Sequence, residues 1–112
     1  MNTPLPVVVA LAATSLMAPV FANAQSDSTP GQKIYSQACA TCHNSGLMHA
    51  PKLGDARDWK TRLQAAGSID ALVEIAEHGK GDMPPRGGNP DLTDDQIKST
   101  VQYMLSKSGA SP

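Results

Sequence analysis

The sequence predicts an all-α protein of about four short helices, and three observations predict it. Apolar residues recur at helical spacing in four separate stretches, each opened by a side chain suited to capping a helix. Glycine closes the second and third of these stretches. No stretch shows the two-residue period of a strand bounded by turns, and there is no internal repeat.

The first helix is expected to open at Thr29-Pro30-Gly31-Gln32. Thr29 can cap it, Pro30 suits the first helical position, and Gln32 completes a capping box. Ile34, Tyr35 and Ala38 then share a face, and the helix runs into Cys39 and Cys42. Asn44 to Gly54, which holds Gly46 and Pro51, reads as loop. Asp55 caps a second helix, with Trp59, Leu63 and Ala66 on one face and Gly67 at its end. Ser68 caps a third, with Ile69, Leu72, Val73 and Ala76 facing inward and Gly79 at its end. Gly79 to Asp91 is too rich in Gly and Pro for regular structure, and so long a loop in a small domain points to function or disorder. Thr93-Asp94-Asp95-Gln96 is another capping box. It opens a last helix with Ile97, Val101, Met104 and Leu105 on one stripe. Asp94 and Asp95 suit its positive end, and Lys107 its negative end.

The 112 residues allow one domain, and the first 24 do not read as part of it. Met1 to Ala24 has no charged side chain, an apolar centre from Val7 to Ala13, and the ending Ala22-Asn23-Ala24. This is the pattern of a secretory signal with its cleavage site, although its start lacks Lys or Arg. A membrane span is disfavoured by the short apolar run and by Pro4, Pro6 and Pro19. Gln25 to Pro112 is then the working domain. After Phe21 leaves with the signal, its aromatic residues are Tyr35, Trp59 and Tyr103. So small a core is marginal, and a large flat apolar cofactor would supply the missing bulk. Nine Lys and Arg against ten Asp and Glu, with no basic run, argue against nucleic acid and against an electrostatic membrane dock.

Chemistry concentrates in Cys39-Ala40-Thr41-Cys42-His43. A disulfide between cysteines so close in sequence would close a tiny loop and restrict little chain entropy. Cys-x-x-Cys-His reads instead as a c-type haem attachment site. Two thiols about one helical turn apart can each add to a vinyl group on one haem edge, and the adjacent histidine then serves as an axial iron ligand. Competing readings are a thioredoxin-like redox pair, which expects a βαβ pattern, and a zinc site, for which only His49 and His78 are on offer.

A second axial ligand has five candidates: Met48, Met83, Met104, His49 and His78. Met104 lies on the apolar stripe of the last helix and suits the core. Met48 and His49 are tethered close after His43, and His78 ends a helix whose dipole it complements. Met83 stands in Gly79-Lys80-Gly81-Asp82-Met83-Pro84-Pro85-Arg86-Gly87-Gly88. Pro84 biases it to an extended conformation, and the flanking glycines let the loop approach a flat cofactor. Met83 is the preferred ligand.

These motifs, with Ala50-Pro51-Lys52-Leu53-Gly54-Asp55, Trp59 with Arg62, and Leu92-Thr93-Asp94 leading to Tyr103-Met104, resemble the short bacterial class I cytochromes c, especially the c5 and c-555 type. The resemblance spans nearly all of Gln25 to Pro112. It implies helices wrapped around one covalently bound haem c, with the first and last helices crossing where Gly31 and Tyr35 meet the neighbourhood of Tyr103. It further implies that the Pro51 carbonyl accepts from Nδ1–H of His43, and that Trp59 and Arg62 neighbour a haem propionate. Ordinary core packing for Trp59 and a solvated helix face for Arg62 stand beside those roles. Many c5 members carry a second cysteine pair after the methionine loop; Asn89 and Leu92 occupy those positions here.

The expected function is that of a carrier and not an enzyme. Haem iron held by His43 and Met83 would cycle between Fe(III) and Fe(II), with both axial positions filled. The expected compartment is the periplasm. Expected partners are a redox protein donor and acceptor, including a membrane oxidase or reductase complex, with no nucleic acid and no membrane anchor after cleavage. The alternative is a haem enzyme or ligand-binding haem protein with an open sixth position.

Overall fold

The structure, a computed structural model, describes residues 2–19 and 29–111. Residues 2–19 form no helix or strand, and Leu5, Val7, Val8, Val9 and Leu11 along them are exposed. The expected cleavage site at Ala22-Asn23-Ala24 lies outside the described residues. No helix among the described residues is long and apolar enough to cross a membrane.

The helical unit begins where the capping chemistry puts it. The Thr29 hydroxyl accepts from the Gln32 amide at 3.2 Å, and Pro30 occupies the first turn of α1 (Pro30–Ile34). The chain then continues without a break through a π-helical segment (Tyr35–Cys39) into α2 (Ala40–His43). α3 (Ala56–Ala66) is capped by Asp55, which accepts from the Asp58 amide, and ends at Gly67 with φ 93°. α4 (Ile69–His78) is capped by Ser68, and α5 (Asp94–Lys107) carries both halves of the Thr93–Gln96 capping box. Counting the continuous first helix once, these are the four expected helices.

α5 is the centre of the packing. Ile97, Val101, Met104 and Leu105 are buried, with Leu105 fully so; burying one such side chain stabilises by about 1.5–3 kcal/mol. Thr100 is also buried and returns its hydroxyl to the Gln96 carbonyl at 2.8 Å. α1 crosses α5 at Gly31, where an added Cβ would lie 2.2 Å from the Ser99 carbonyl oxygen and 3.0 Å from Tyr103 Cβ. One turn on, the Tyr35 and Tyr103 rings meet at 5.6 Å between centroids and a tilt of 52°. α4 packs on α5 through Leu72, Val73 and Ala76.

Two loops are more ordered than their composition suggests. Asn44 to Gly54 contains a short 3-10 turn (Leu47–His49), in which Met48 and His49 take left-handed φ values of 54° and 67°. Gly79 to Asp91 holds a tight reversal in which Lys80 and Met83 exchange two backbone bonds of 3.0 Å, followed by a 3-10 turn (Pro85–Gly88). Arg86 fastens this loop to the start of α5. Its guanidinium donates to the Leu92 carbonyl at 2.7 Å and to Asp94 Oδ1 at 2.5 Å.

Candidate haem site

The first helix delivers Cys39, Cys42 and His43 to one wall of a cavity. Both thiols are free and half-buried. Burial first, and the neighbouring Cys42 second, push the Cys39 thiol up to about 11. A thiol–disulfide exchanger requires the opposite, an attacking thiolate favoured near neutral pH. The thioredoxin-like reading also lacks its βαβ frame, since the described residues hold helices and no strand.

His43 is buried, with Nδ1 2.8 Å from the Pro51 carbonyl oxygen. A carbonyl can only accept, so Nδ1 carries the hydrogen and Nε2 keeps its lone pair. Burial lowers the pKa of the ring, the Pro51 bond opposes that, and the Arg62 charge lowers it further. The outcome is a neutral imidazole, the form that binds metal.

Trp59 lies beside this ring, with centroids 5.7 Å apart and planes inclined by 30°. Its Nε1–H donates to the Lys52 carbonyl at 2.9 Å. Arg62, one turn along α3, pairs with Asp58 at 3.0 Å and donates to the His49 carbonyl at 3.3 Å.

The cavity has a volume of about 370 Å³. Protein interiors seldom leave voids larger than a water molecule, so a space this size in so small a domain calls for an occupant. Cys39, Cys42, His43, Trp59, Arg62 and Met83 line it together, with Leu72, Val101 and Met104 among the apolar remainder. Pro51 lines it as well. The loop from Gly79 brings Met83 there, and Gly79 itself allows the approach. Its φ of 78° with ψ of 163° is open essentially to glycine alone, and an added Cβ would sit 2.6 Å from the Met83 carbonyl oxygen.

The other candidate ligands sort by placement. Met48 and His49 also line the cavity, and Met48 is exposed. Met104 is buried on α5, in the core as well as on the cavity wall. His78 turns Nδ1 back to the Glu74 carbonyl at 2.9 Å and does not line the cavity. Among the described residues no three of His, Cys, Asp and Glu converge, so zinc has no ligand set. A neutral imidazole, a soft thioether and two thiols around an apolar space fit an iron-containing macrocycle attached by its edge.

Several contacts were not legible beforehand. The Tyr35 hydroxyl donates to the Asn44 side-chain oxygen, and the Gly54 amide donates to Ser108 Oγ at 2.9 Å. Thr100 also lines the cavity. It sits three residues after Ile97 and four before Met104, so helical spacing carried a signal that its polarity masked.

Known proteins give the same answer from another direction. Residues 26–104 match the family model described as cytochrome c oxidase, cbb3-type, subunit III. Cytochrome c5 of Azotobacter vinelandii is 39% identical over 74 residues, which cover 66% of this chain and 89% of the relative. Cytochrome c-555 of Chlorobaculum tepidum is 42% identical over 86 residues, covering 73% of this chain and 78% of the relative. A chain in a crystal structure described as an electron transfer complex of nitrite reductase with cytochrome c is 42% identical, with a TM-score of 0.65, covering 70% of this chain and 94% of its own. With a single Cys-x-x-Cys-His motif placed at the cavity, this chain belongs to the small c-type cytochromes, electron carriers with one haem c, and is similar to cytochromes c5 and c-555.

Proposed function

We propose that this cytochrome carries single electrons between redox proteins of the periplasm, with haem attached through Cys39 and Cys42 and iron ligated by His43 and Met83. The observation that carries the assignment of residues is one cavity lined by all four. When bound, the haem supplies a reversible one-electron Fe(III)/Fe(II) couple. The protein's own part is to hold and to exclude. Pro51 keeps the His43 ring in the tautomer that presents Nε2. Gly79 and the Lys80–Met83 reversal present a thioether, which favours the reduced metal. Trp59 forms an apolar wall, and Arg62, half-exposed at the rim, would meet a haem propionate.

A similar chain from an electron transfer complex of nitrite reductase with cytochrome c supports redox proteins as the partner class. Reductases, and a membrane oxidase or reductase complex, are the proposed donors and acceptors. Export rests on the signal pattern of residues 1–24, with the mature chain starting at Gln25.

Two measurements test the reading. The matured protein, denatured and extracted with acidified organic solvent, should retain the mass of haem and begin at Gln25. Its visible spectrum should be low-spin and unchanged by carbon monoxide. A high-spin spectrum that shifts with carbon monoxide would point to a haem enzyme or gas-binding protein with an open sixth position.

A further inference from the structure

The corner at residues 51–54 holds His43 in several ways at once. The Pro51 carbonyl takes the ring hydrogen at 2.8 Å, and the Leu53 amide donates to the His43 carbonyl at 2.7 Å. Between these two contacts lies the Lys52 peptide. Its carbonyl accepts from Trp59 Nε1 at 2.9 Å and from the Asp55 amide at 3.1 Å. An indole has one N–H and no other polar atom. In Trp59 that hydrogen is spent on the corner behind the histidine. The same side chain stacks on the His43 ring, with centroids 5.7 Å apart and planes inclined by 30°. Trp59 is 5% exposed, and its bond to the Lys52 carbonyl is part-buried.

We propose that Trp59 is a positioning residue for His43: by fixing the Lys52 carbonyl it fixes the neighbouring Pro51 carbonyl, and so the strength of the bond that makes the imidazole a better donor. The inference rests on the proposed ligation by His43. It assigns the indole N–H to the iron's histidine and not to a haem propionate. A strong Nδ1–H···O bond raises the basicity of the ring and favours Fe(III); a slack one favours Fe(II). Stacking sets the ring plane, and the hydrogen bond sets its electron donation. One side chain controls both.

The haem-loaded protein, labelled with ¹⁵N and ¹³C, gives the direct test. The Trp59 Nε1 hydrogen should exchange slowly with solvent and show a coupling through the hydrogen bond to the Lys52 carbonyl carbon. Loss of that coupling, with contacts from the indole hydrogen to the haem carboxylates, would overturn the proposal. Trp59→Phe keeps an aromatic face and removes the N–H. Its midpoint potential should shift upward and the hyperfine-shifted resonances of the His43 ring should move, while the curve of potential against pH keeps its shape. If that curve changes shape and the His43 resonances stay in place, the indole serves a propionate and the proposal fails. If only the melting temperature falls, Trp59 is core packing and the proposal fails too. A wild-type spectrum without hyperfine-shifted His43 resonances would instead overturn the ligand assignment beneath it.

Discussion

Gly31 and Ser99 are in backbone contact: a Cβ built on Gly31 would lie 2.2 Å from the Ser99 carbonyl oxygen. The obstacle is main chain, which has no rotamer to escape into. Gly31→Ala should therefore force α1 off α5 and lower stability by about 1–3 kcal/mol, the usual cost of overpacking. Chemical denaturation of the haem-loaded protein measures it. The same substitution inside an unobstructed helix would stabilise by roughly 0.5–1 kcal/mol, so even the sign is diagnostic. An unchanged or raised midpoint would show that the crossing is looser than described.

Met83 is expected to govern the iron's sixth position. Met83→Ala should abolish the sulfur-to-iron charge-transfer band of the oxidised protein, lower the midpoint potential and admit carbon monoxide. Met48→Ala and Met104→Ala are the controls, since both side chains also line the cavity. Gly79→Ala, which pushes a Cβ to 2.6 Å from the Met83 carbonyl oxygen, should weaken the band without touching the sulfur. Retention of the band in Met83→Ala and its loss in Met48→Ala would assign the other methionine.

Alkaline titration should single out Tyr35. Burial first, then Tyr103 and Cys39, raise its phenol above the ordinary value. A raised pKa means that the unfolded chain gives up this proton first. The stabilisation is complete below about pH 10, the unperturbed phenol value, and is lost as the pH climbs through the folded value. Tyr35→Phe should flatten the dependence of stability on pH in that range and remove the late step in the tyrosinate absorbance. A Tyr35 that titrates together with an exposed phenol would contradict the burial.

Folding should depend on the cofactor. Without an occupant, the apolar side chains of Leu72, Val101 and Met104 that line the cavity lack packing partners on that side. A domain this small has little stability to spare for such a loss. Circular dichroism of the haem-free chain should show little cooperative helix. A cooperative melt with full helical signal would mean that the polypeptide closes over the space unaided.

The helices were legible because their ends are written in single side chains. Asp55, Ser68 and Thr93 each accept from an amide three residues on, a local event that needs no knowledge of the rest of the chain. That Cys39, Cys42 and His43 share one cavity wall was legible because their spacing puts them about one helical turn apart. What could not be read depends on distant partners. The π-helical widening at Tyr35–Cys39, the left-handed Met48 and His49, and the second half of a capping box expected at Gln32 belong here. At the N-terminus of α1, only the bond to the Thr29 hydroxyl is found among the described residues. Met48 and His49 are bent by closure of their loop, where Arg62 from α3 holds the His49 carbonyl. No pattern within Leu47–His49 encodes that hold.

The bond from the Gly54 amide to Ser108 Oγ joins the middle of the chain to its end. Ser108 is 2% exposed, and beyond it Ala110 is buried against α5. Fraying of a terminal helix is ordinarily a private event that leaves the rest of a domain intact. Here it would release the corner that steadies His43. The last turn of α5 and the histidine loop should then share one opening free energy, so that amides of the two segments exchange their hydrogens in step. Thermal motion that disturbs His43 would then require the protein to begin to come apart.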